Sequence, residues 1–172
     1  MKTVTAYHFT SSTLRDGSLI PPIGEWLVHE GPVVPCELGL HASEHPFDAL
    51  EFAPGNLLHK VELRGEIKAH GNPVDKLVAK ERKIVASIDA EKLMRKFAKW
   101  SAISVIHLWT PPQVVVDYLN SDSEELRAAA CGAVCGAAWD AAWDAAWDAA
   151  WDAQRTKFKE MVDEAFSQQT NQ

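Results

Sequence analysis

The chain has 172 residues, of which 47% are hydrophobic and 24% charged, and its formal net charge at pH 7 is -7. This composition is sufficient for one ordinary hydrophobic core, and it excludes a collagen-like fibre and a wholly disordered polymer. Residues 121–172 carry 10 acidic and 4 basic side chains. Because phosphate binding needs a basic surface, we expect no duplex nucleic acid as a partner.

The sequence indicates a soluble protein of the cytoplasm. No apolar run approaches the roughly 20 residues of a membrane span, and Met1 is followed by a polar stretch. The three cysteines, Cys36, Cys131 and Cys135, are too few and odd in number for a disulfide scaffold. We therefore expect free thiols and no membrane association.

The first 88 residues contain short β-type runs separated by Gly and Pro turns, which predict a small twisted sheet. The predicted strands are Val4–Phe9, Trp26–His29, Gly39–Ser43, Leu57–Leu63 with Glu66–Lys68, and Leu77–Ile88. Residues 46–53 are predicted to form one short helix, because a proline begins the segment and Pro54-Gly55 closes it.

A helical connector is predicted after the sheet. Asp89 has the chemistry of an N-cap, and the apolar residues after it recur at three-to-four spacing until Pro111-Pro112. On this interpretation His107 lies on the buried face of the helix. A further helical turn begins at Pro112, with Val115, Val116 and Leu119 buried.

The last region contains a four-residue Trp-Asp-Ala-Ala repeat. Alanine makes up 13 of the 26 residues from 128 to 153, and this strongest of helix formers predicts a long helix. The repeat carries four tryptophans: Trp139, Trp143, Trp147 and Trp151. Exposed together they would form an unusually large apolar patch. We therefore expect them to be covered, either by the rest of the chain or by another subunit or partner.

Taken in order, these patterns predict an α+β protein. A small mixed or antiparallel β-rich N-terminal domain occupies residues 1–88, and a helical connector occupies residues 89–120. Residues 121–172 form the long Ala/Trp-rich C-terminal helix and its tail. The boundaries follow the change from strand-like to helical periodicity.

Most common enzyme motifs are missing from the sequence: it has no P-loop, Rossmann glycine pattern, nucleophile elbow or CxxC pair. Cys36, His41 and His45 have loosely metal-like spacing. A fourth ligand would come from one of three histidines, His8, His29 or His59. Scattered histidines around a single cysteine are more often ordinary polar residues, so we expect no metal site.

Two histidines and a glutamate follow one another through the predicted strands. The first strand contains Tyr7-His8-Phe9-Thr10, a later one contains Gly39-Leu40-His41-Ala42-Ser43, and Glu81 precedes Arg82-Lys83-Ile84-Val85. This order resembles the ADP-ribosyltransferase superfold of poly(ADP-ribose) polymerases and NAD-using RNA 2'-phosphotransferases. In that family a first-strand histidine binds the nicotinamide ribose, a Tyr or His flanks the ring, and a late-strand glutamate polarises the ribose hydroxyl.

The resemblance implies roles for particular residues of this chain. His8 would anchor the ribose, His41 and Phe52 would flank the ring, and Glu81 would stabilise an oxocarbenium-like transition state. An enzyme of this kind would consume NAD with His8, His41 and Glu81 as its catalytic residues. The implied ligand-binding residues are His8, Thr10, His41, Ser43, Phe52 and Arg82, with Arg82 placed to meet a phosphate.

A second resemblance covers nearly the whole chain. Residues 35–43 (PCELGLHAS), Ile106-His107-Leu108-Trp109 and the Trp-Asp-Ala-Ala tail are similar to a family of uncharacterised phage and bacterial proteins. That family implies an accessory role, directed at a host protein or a signalling nucleotide.

We therefore expect a binding protein rather than a catalyst. Its ligand would be a host protein or an NAD- or ADP-ribose-like nucleotide, and its repeat helix would mediate packing or self-association. Two alternatives stay open at this point. One is an NAD-consuming enzyme of the ADP-ribosyltransferase type, and the other is a structural oligomer built by the tail.

Overall fold

The computed structural model of the chain describes residues 3–108, 110–121, 123, 125–126, 129 and 147–170. Its N-terminal elements are β1 (Val4–Thr10), β2 (Trp26–Val28), β3 (Leu40–Ala42), α1 (Pro46–Glu51), β4 (Leu57–His70) and β5 (Lys76–Asp89). They are followed by α2 (Glu91–Ser104), a 3-10 turn (Ile106–Leu108), α3 (Gln113–Leu119) and α4 (Trp147–Thr170).

The strands form one antiparallel sheet. β1, β4 and β5 are neighbours in that order, and the other edge of β5 pairs with β3 at Leu77–Ala79 and with β2 at Glu81–Lys83. Just after β3, the Ser43 N–H donates to the Tyr7 carbonyl over 2.9 Å, and the Tyr7 N–H donates back over 2.7 Å. This bridge joins the end of β3 to β1, so the sheet closes on itself and has an inner and an outer face.

The inner face of the sheet carries an apolar core. Because side chains alternate between the two faces of a strand, Ala6 of β1, Val61 of β4 and Ile84 of β5 project to the same side. The buried core residues are Ala6, Ala42, Val61, Leu63, Leu77, Ala79 and Ile84. A β-bulge adds one residue to the middle of β5 and thereby keeps both Arg82 and Ser87 on the inner face.

The outer face of β1 is covered by α1 and by the last turns of α4. Phe158, Val162 and Phe166 recur every four residues along α4 and are buried, as expected for one apolar stripe of a helix. The Phe158 ring centroid lies 6.1 Å from that of Phe47 in α1, and the Phe166 centroid lies 6.5 Å from that of Tyr7 in β1. The end of the C-terminal helix is thus part of the same unit as the sheet.

The chain divides into two compact units. One contains the sheet, α1 and the residues from Phe158 onward, and the other runs from Met94 to Lys157. In the second unit, Val115 and Leu119 of α3 are buried against the partly buried side chains of Ala102, Ile106, Val114 and Tyr118. This grouping differs from the predicted three segments, because it joins the end of the C-terminal helix to the sheet.

The predicted α+β class is confirmed, and so are the predicted strands and the short helix α1. The predicted length of the connector helix is wrong, because α2 ends at Ser104. There the Ser104 hydroxyl donates to the Ser101 carbonyl over 2.7 Å and competes with the helical backbone bonds. His107 consequently lies in the 3-10 turn and is exposed, whereas a buried position was predicted, and Val116 is only partly buried.

Most of the tryptophan repeat lies outside the described residues. Trp139 and Trp143 belong to that part, α4 begins at Trp147, and Trp151 is 40% exposed. The interface expected of these four residues stays a prediction. None of the helices within the described ranges is both long and apolar enough to cross a membrane.

Candidate functional site

A cluster of polar side chains lies on the inner face of the sheet, next to the apolar core. His8 of β1 is paired with His59 of β4, and His59 in turn is paired with Ser87 of β5. Residues directly opposite each other on antiparallel strands project to the same face. Thr10, the last residue of β1, lies on this face too. Since Thr10 and His59 are each only 2% exposed, their polar atoms need partners within the fold.

The hydrogen bonds of His59 define its protonation state. The Thr10 hydroxyl donates to the Ser11 carbonyl over 3.0 Å and therefore accepts from Nε2–H of His59 over 2.8 Å. Nδ1 of His59 accepts from the Ser87 hydroxyl over 2.7 Å. Both ring nitrogens are thus satisfied in the neutral Nε2–H form. Burial, with the nearby charge of Arg82 as a smaller cause, lowers the pKa of His59 to about 4.

Arg82 is a buried guanidinium that has no counter-charge among the described residues. Its side chain is 5% exposed, and its Nη1 donates to the His41 carbonyl over 2.6 Å. Among the residues that the structure describes, no carboxylate forms an ion pair with Arg82. A guanidinium offers five N–H donors, so most of its donors are not used in this bond. Burial lowers the pKa of Arg82 to about 10, and the group stays charged at neutral pH.

His8 is the second member of the cluster with unused hydrogen-bonding capacity. It is partly buried, and no hydrogen bond to its ring is formed within the described part of the chain. Burial lowers the pKa of His8 well below its usual range, and the charge of Arg82 lowers it further, followed by His59 and His41. His8 is therefore a neutral imidazole with one donor and one acceptor beside a fixed positive charge.

The side chain of His41 is used to hold the loop that leads into β3. Its Nε2 accepts from the Cys36 N–H over 3.2 Å, and Cys36 has the left-handed φ of 66°. Burial lowers the pKa of His41, and the positive charges of Lys76 and Arg82 lower it further. His41 therefore contributes its carbonyl to the site through Arg82, while its ring is engaged in the loop.

Two further predicted ligand-binding residues, Phe52 and Ser43, lie outside the inner-face cluster. Phe52 follows α1 and is 43% exposed, with the Lys76 Nζ 3.4 Å from its ring centroid. The charge of Lys76 also acts on His41, whose ring lies on the face of β3 opposite Ala42 and the apolar core. In the described part of the chain, Phe52 and Lys76 make no contact with His8 or Arg82. Ser43 is buried, and its backbone forms the bridge to Tyr7 that closes the sheet.

Glu81 lies on the opposite face of β5 from Arg82. It is paired with Arg64 of β4, whose Nη2 and Nε lie 2.7 and 2.8 Å from its Oε2. The Arg64 guanidinium in turn lies 3.8 Å from the ring centroid of Trp26. The structure therefore brings His8 and Arg82 together but does not bring Glu81 to them.

The combined charge of the inner-face cluster is positive. Arg82 is charged and lowers the pKa of both His8 and His59. No carboxylate appears among the groups that shift the pKa of His8, His59 or Arg82 within the described ranges. An arrangement of this kind attracts anions.

A family model described as Domain of unknown function (DUF7666) matches residues 4–96, more than half of the chain. The chain belongs to this family. The DUF7666 match takes in all five strands and α1, and therefore every member of the inner-face cluster. No curated protein and no solved structure matches the chain significantly. The resemblances to ADP-ribosyltransferases and to a phage protein family stay predictions.

The metal-like spacing noted in the DUF7666 segment corresponds to backbone hydrogen bonding. His41 accepts from Cys36 N–H, and Nδ1 of His45 accepts from Phe47 N–H over 3.2 Å as the N-cap of α1. In the part of the chain that the structure describes, no three His, Cys, Asp or Glu residues form a group able to hold a metal ion.

The sequence interpretation included His8, Thr10 and Arg82, which the structure brings together, but it gave His59 only a minor role as a possible metal ligand. The available signal was a histidine that directly follows Leu57 and Leu58 in a strand-like segment. The place of His59 in the cluster follows only from the pairing of β4 with β1 and β5, which sets His59 opposite both His8 and Ser87.

Proposed function

We propose that the protein acts by binding a small ligand that carries a phosphate group, of the NAD or ADP-ribose class, on the inner face of its sheet. The observation that carries this proposal is the buried Arg82 guanidinium without a carboxylate partner among the described residues. Buried charges in proteins are normally paired, because the loss of hydration is otherwise uncompensated.

The chemistry of the cluster supports a phosphate in particular. The planar guanidinium fork matches the geometry of two phosphate oxygens, and charge-assisted hydrogen bonds of this kind are among the strongest in proteins. His8 lies on the same face as Arg82, and its ring N–H has no hydrogen-bond partner in the described part of the chain. Together these two side chains supply donors from two different strands.

The class of ligand beyond its phosphate group follows from the sequence resemblance. Phe52 follows α1, which covers the outer face of β1, and nothing in the described part of the chain places its ring beside Arg82. The NAD or ADP-ribose class is therefore carried over from the resemblance to ADP-ribosyltransferases. Binding is favoured over NAD cleavage because the carboxylate expected to stabilise the transition state, Glu81, is engaged with Arg64 on the other face.

Thermal denaturation with a panel of ligands tests the proposal. We expect ADP-ribose and NAD to raise the melting temperature of the wild-type protein, and adenosine, which has no phosphate, to have no effect. A ligand at 100 times its Kd stabilises the native state by about 2.7 kcal/mol, which corresponds to a rise of about 5–10 °C for a chain of this size.

Two arginine variants make the test specific. Arg82→Met should abolish the rise, whereas Arg64→Met, which removes a guanidinium from the outer face, should retain it. An unchanged melting temperature of the wild-type protein with millimolar ADP-ribose would contradict the proposal. The same rise in Arg82→Met as in wild type would place the ligand elsewhere.

A further inference from the structure

We propose that binding of a phosphate-type dianion to this cluster is coupled to the uptake of one proton by His8. This inference rests on the proposed function, because it concerns the same site next to Arg82. It makes the site sensitive to pH, with tighter binding as the solution becomes more acidic. It also favours a dianionic ligand group, since a protonated His8 adds a second positive charge to that of Arg82.

The hydrogen bonds of the cluster single out His8 as the proton acceptor. Nδ1 of His59 already accepts from the Ser87 hydroxyl, so a proton at this atom would break that bond. Nε2 of His41 likewise accepts from the Cys36 N–H. The ring of His8 has no hydrogen bond within the described residues. Its lone pair can therefore take a proton from solvent without loss of an existing contact.

The charges that face His8 oppose its protonation in the empty site. Arg82 on β5 is the fixed charge among them, and His59 on β4 and His41 on β3 would add to it only when protonated. An anion seated against the Arg82 guanidinium reverses the sign of the nearest charge, and an opposite charge within a few ångströms favours the protonated imidazole. The step forms one N–H bond on His8 and breaks none in the protein, since the proton comes from water or buffer.

Sulfate is the appropriate probe, because it is a dianion throughout the range from pH 5.5 to 8 and has no proton of its own to exchange. Its binding to the full-length protein can be followed by NMR on the guanidinium of Arg82 and the imidazole nitrogens of His8. We expect the association constant to rise by up to about tenfold for each pH unit of acidification, the limit for one linked proton. The His8 nitrogens should change from neutral to imidazolium shifts on saturation.

Calorimetry gives an independent count of the protons. Titrations with sulfate in two buffers of different ionisation enthalpy should report uptake of about one proton per bound ion near neutral pH. His8→Gln keeps a hydrogen-bond donor but has no titratable ring, so it should bind sulfate with a constant that does not vary with pH. His70→Gln, a change at an exposed position at the end of β4, should retain the wild-type dependence.

The failures of the two proposals can be distinguished. An association constant that stays the same from pH 8 to 6, or His8 nitrogens that stay neutral when sulfate is bound, would overturn the proton coupling. The proposed function would survive that result if ADP-ribose still stabilised the wild-type protein and not Arg82→Met. No sulfate binding by the wild-type protein would also overturn the coupling. The wild-type measurements stand even if His8→Gln does not fold.

Discussion

Replacement of Arg82 by methionine should remove ligand binding and yet stabilise the empty protein. The pKa of Arg82 falls to about 10. Because each pKa unit is worth about 1.4 kcal/mol, burial disfavours the charged form by about 3 kcal/mol relative to an ordinary guanidinium. Methionine is shorter than arginine, keeps the apolar stem and has no charge, so this unfavourable contribution disappears in the variant. A wild-type residue that destabilises its own fold is typical of a functional position.

The net effect is smaller than the electrostatic contribution alone. The Arg82 bond to the His41 carbonyl is lost, and a hydrogen bond from a charged donor contributes about 1.5–3 kcal/mol. We therefore expect the free energy of unfolding to rise by about 1 kcal/mol, which corresponds to about 2–4 °C in the melting temperature.

Chemical denaturation of the ligand-free protein, compared between wild type, Arg82→Met and Arg64→Met, measures this effect. Arg64→Met breaks the ion pair with Glu81 at a partly exposed position, so it should lower the free energy of unfolding by no more than about 1 kcal/mol. If Arg82→Met instead unfolds at a clearly lower denaturant concentration than wild type, the guanidinium is compensated within the fold and does not destabilise it.

Three further predictions concern the surroundings of the cluster. Because the folded protein holds the pKa of His59 at about 4, the unfolded chain binds more protons as the pH falls from about 6.5 to 4, and stability should drop by about 3 kcal/mol over that window. Denaturation at a series of pH values should show a shallower drop in His59→Gln than in His70→Gln; parallel curves would contradict the assignment. Phe158→Ala should lower the free energy of unfolding by about 3–5 kcal/mol, because Phe158 is 0% exposed. In the same denaturation assay, Phe52→Ala should change the free energy of unfolding little, because the Phe52 ring is exposed. Glu81→Gln should leave the stabilisation by ADP-ribose unchanged, and a loss of that stabilisation would show that Glu81 reaches the ligand.

The strands and the short helix α1 were predictable because their signals are local. Alternating apolar residues, Gly and Pro turns and the proline at the start of α1 act over a few residues, and the structure follows them closely. The length of the connector helix was not predicted correctly. Its apolar spacing continues to Pro111-Pro112, but the Ser104 hydroxyl bonds back to the Ser101 carbonyl and the helix ends there.

The members of the candidate site were partly predictable, but their arrangement was not. His8, Thr10 and Arg82 were named from residue order and resemblance, without knowledge of which face each occupies. A β-bulge in β5 decides that Arg82 lies on the side of His8 and that Glu81 lies on the other. Since one extra residue in a strand inverts the orientation of every later side chain, no inspection of spacing reveals this.

The amino-acid sequence alone determined the class of the fold, the order of its strands and helices, and an excess of negative charge after residue 121. Those properties depend on composition and on periodicities of two to four residues. Only the tertiary structure decided that the sheet closes through Ser43 and Tyr7 and that the end of α4 covers its outer face. It also decided that Arg82 is buried on the same face as His8, with no carboxylate partner among the described residues. These properties depend on contacts between residues far apart in the chain. Burial has the strongest effect on the energy of a charge, and a residue becomes buried only after those contacts have formed.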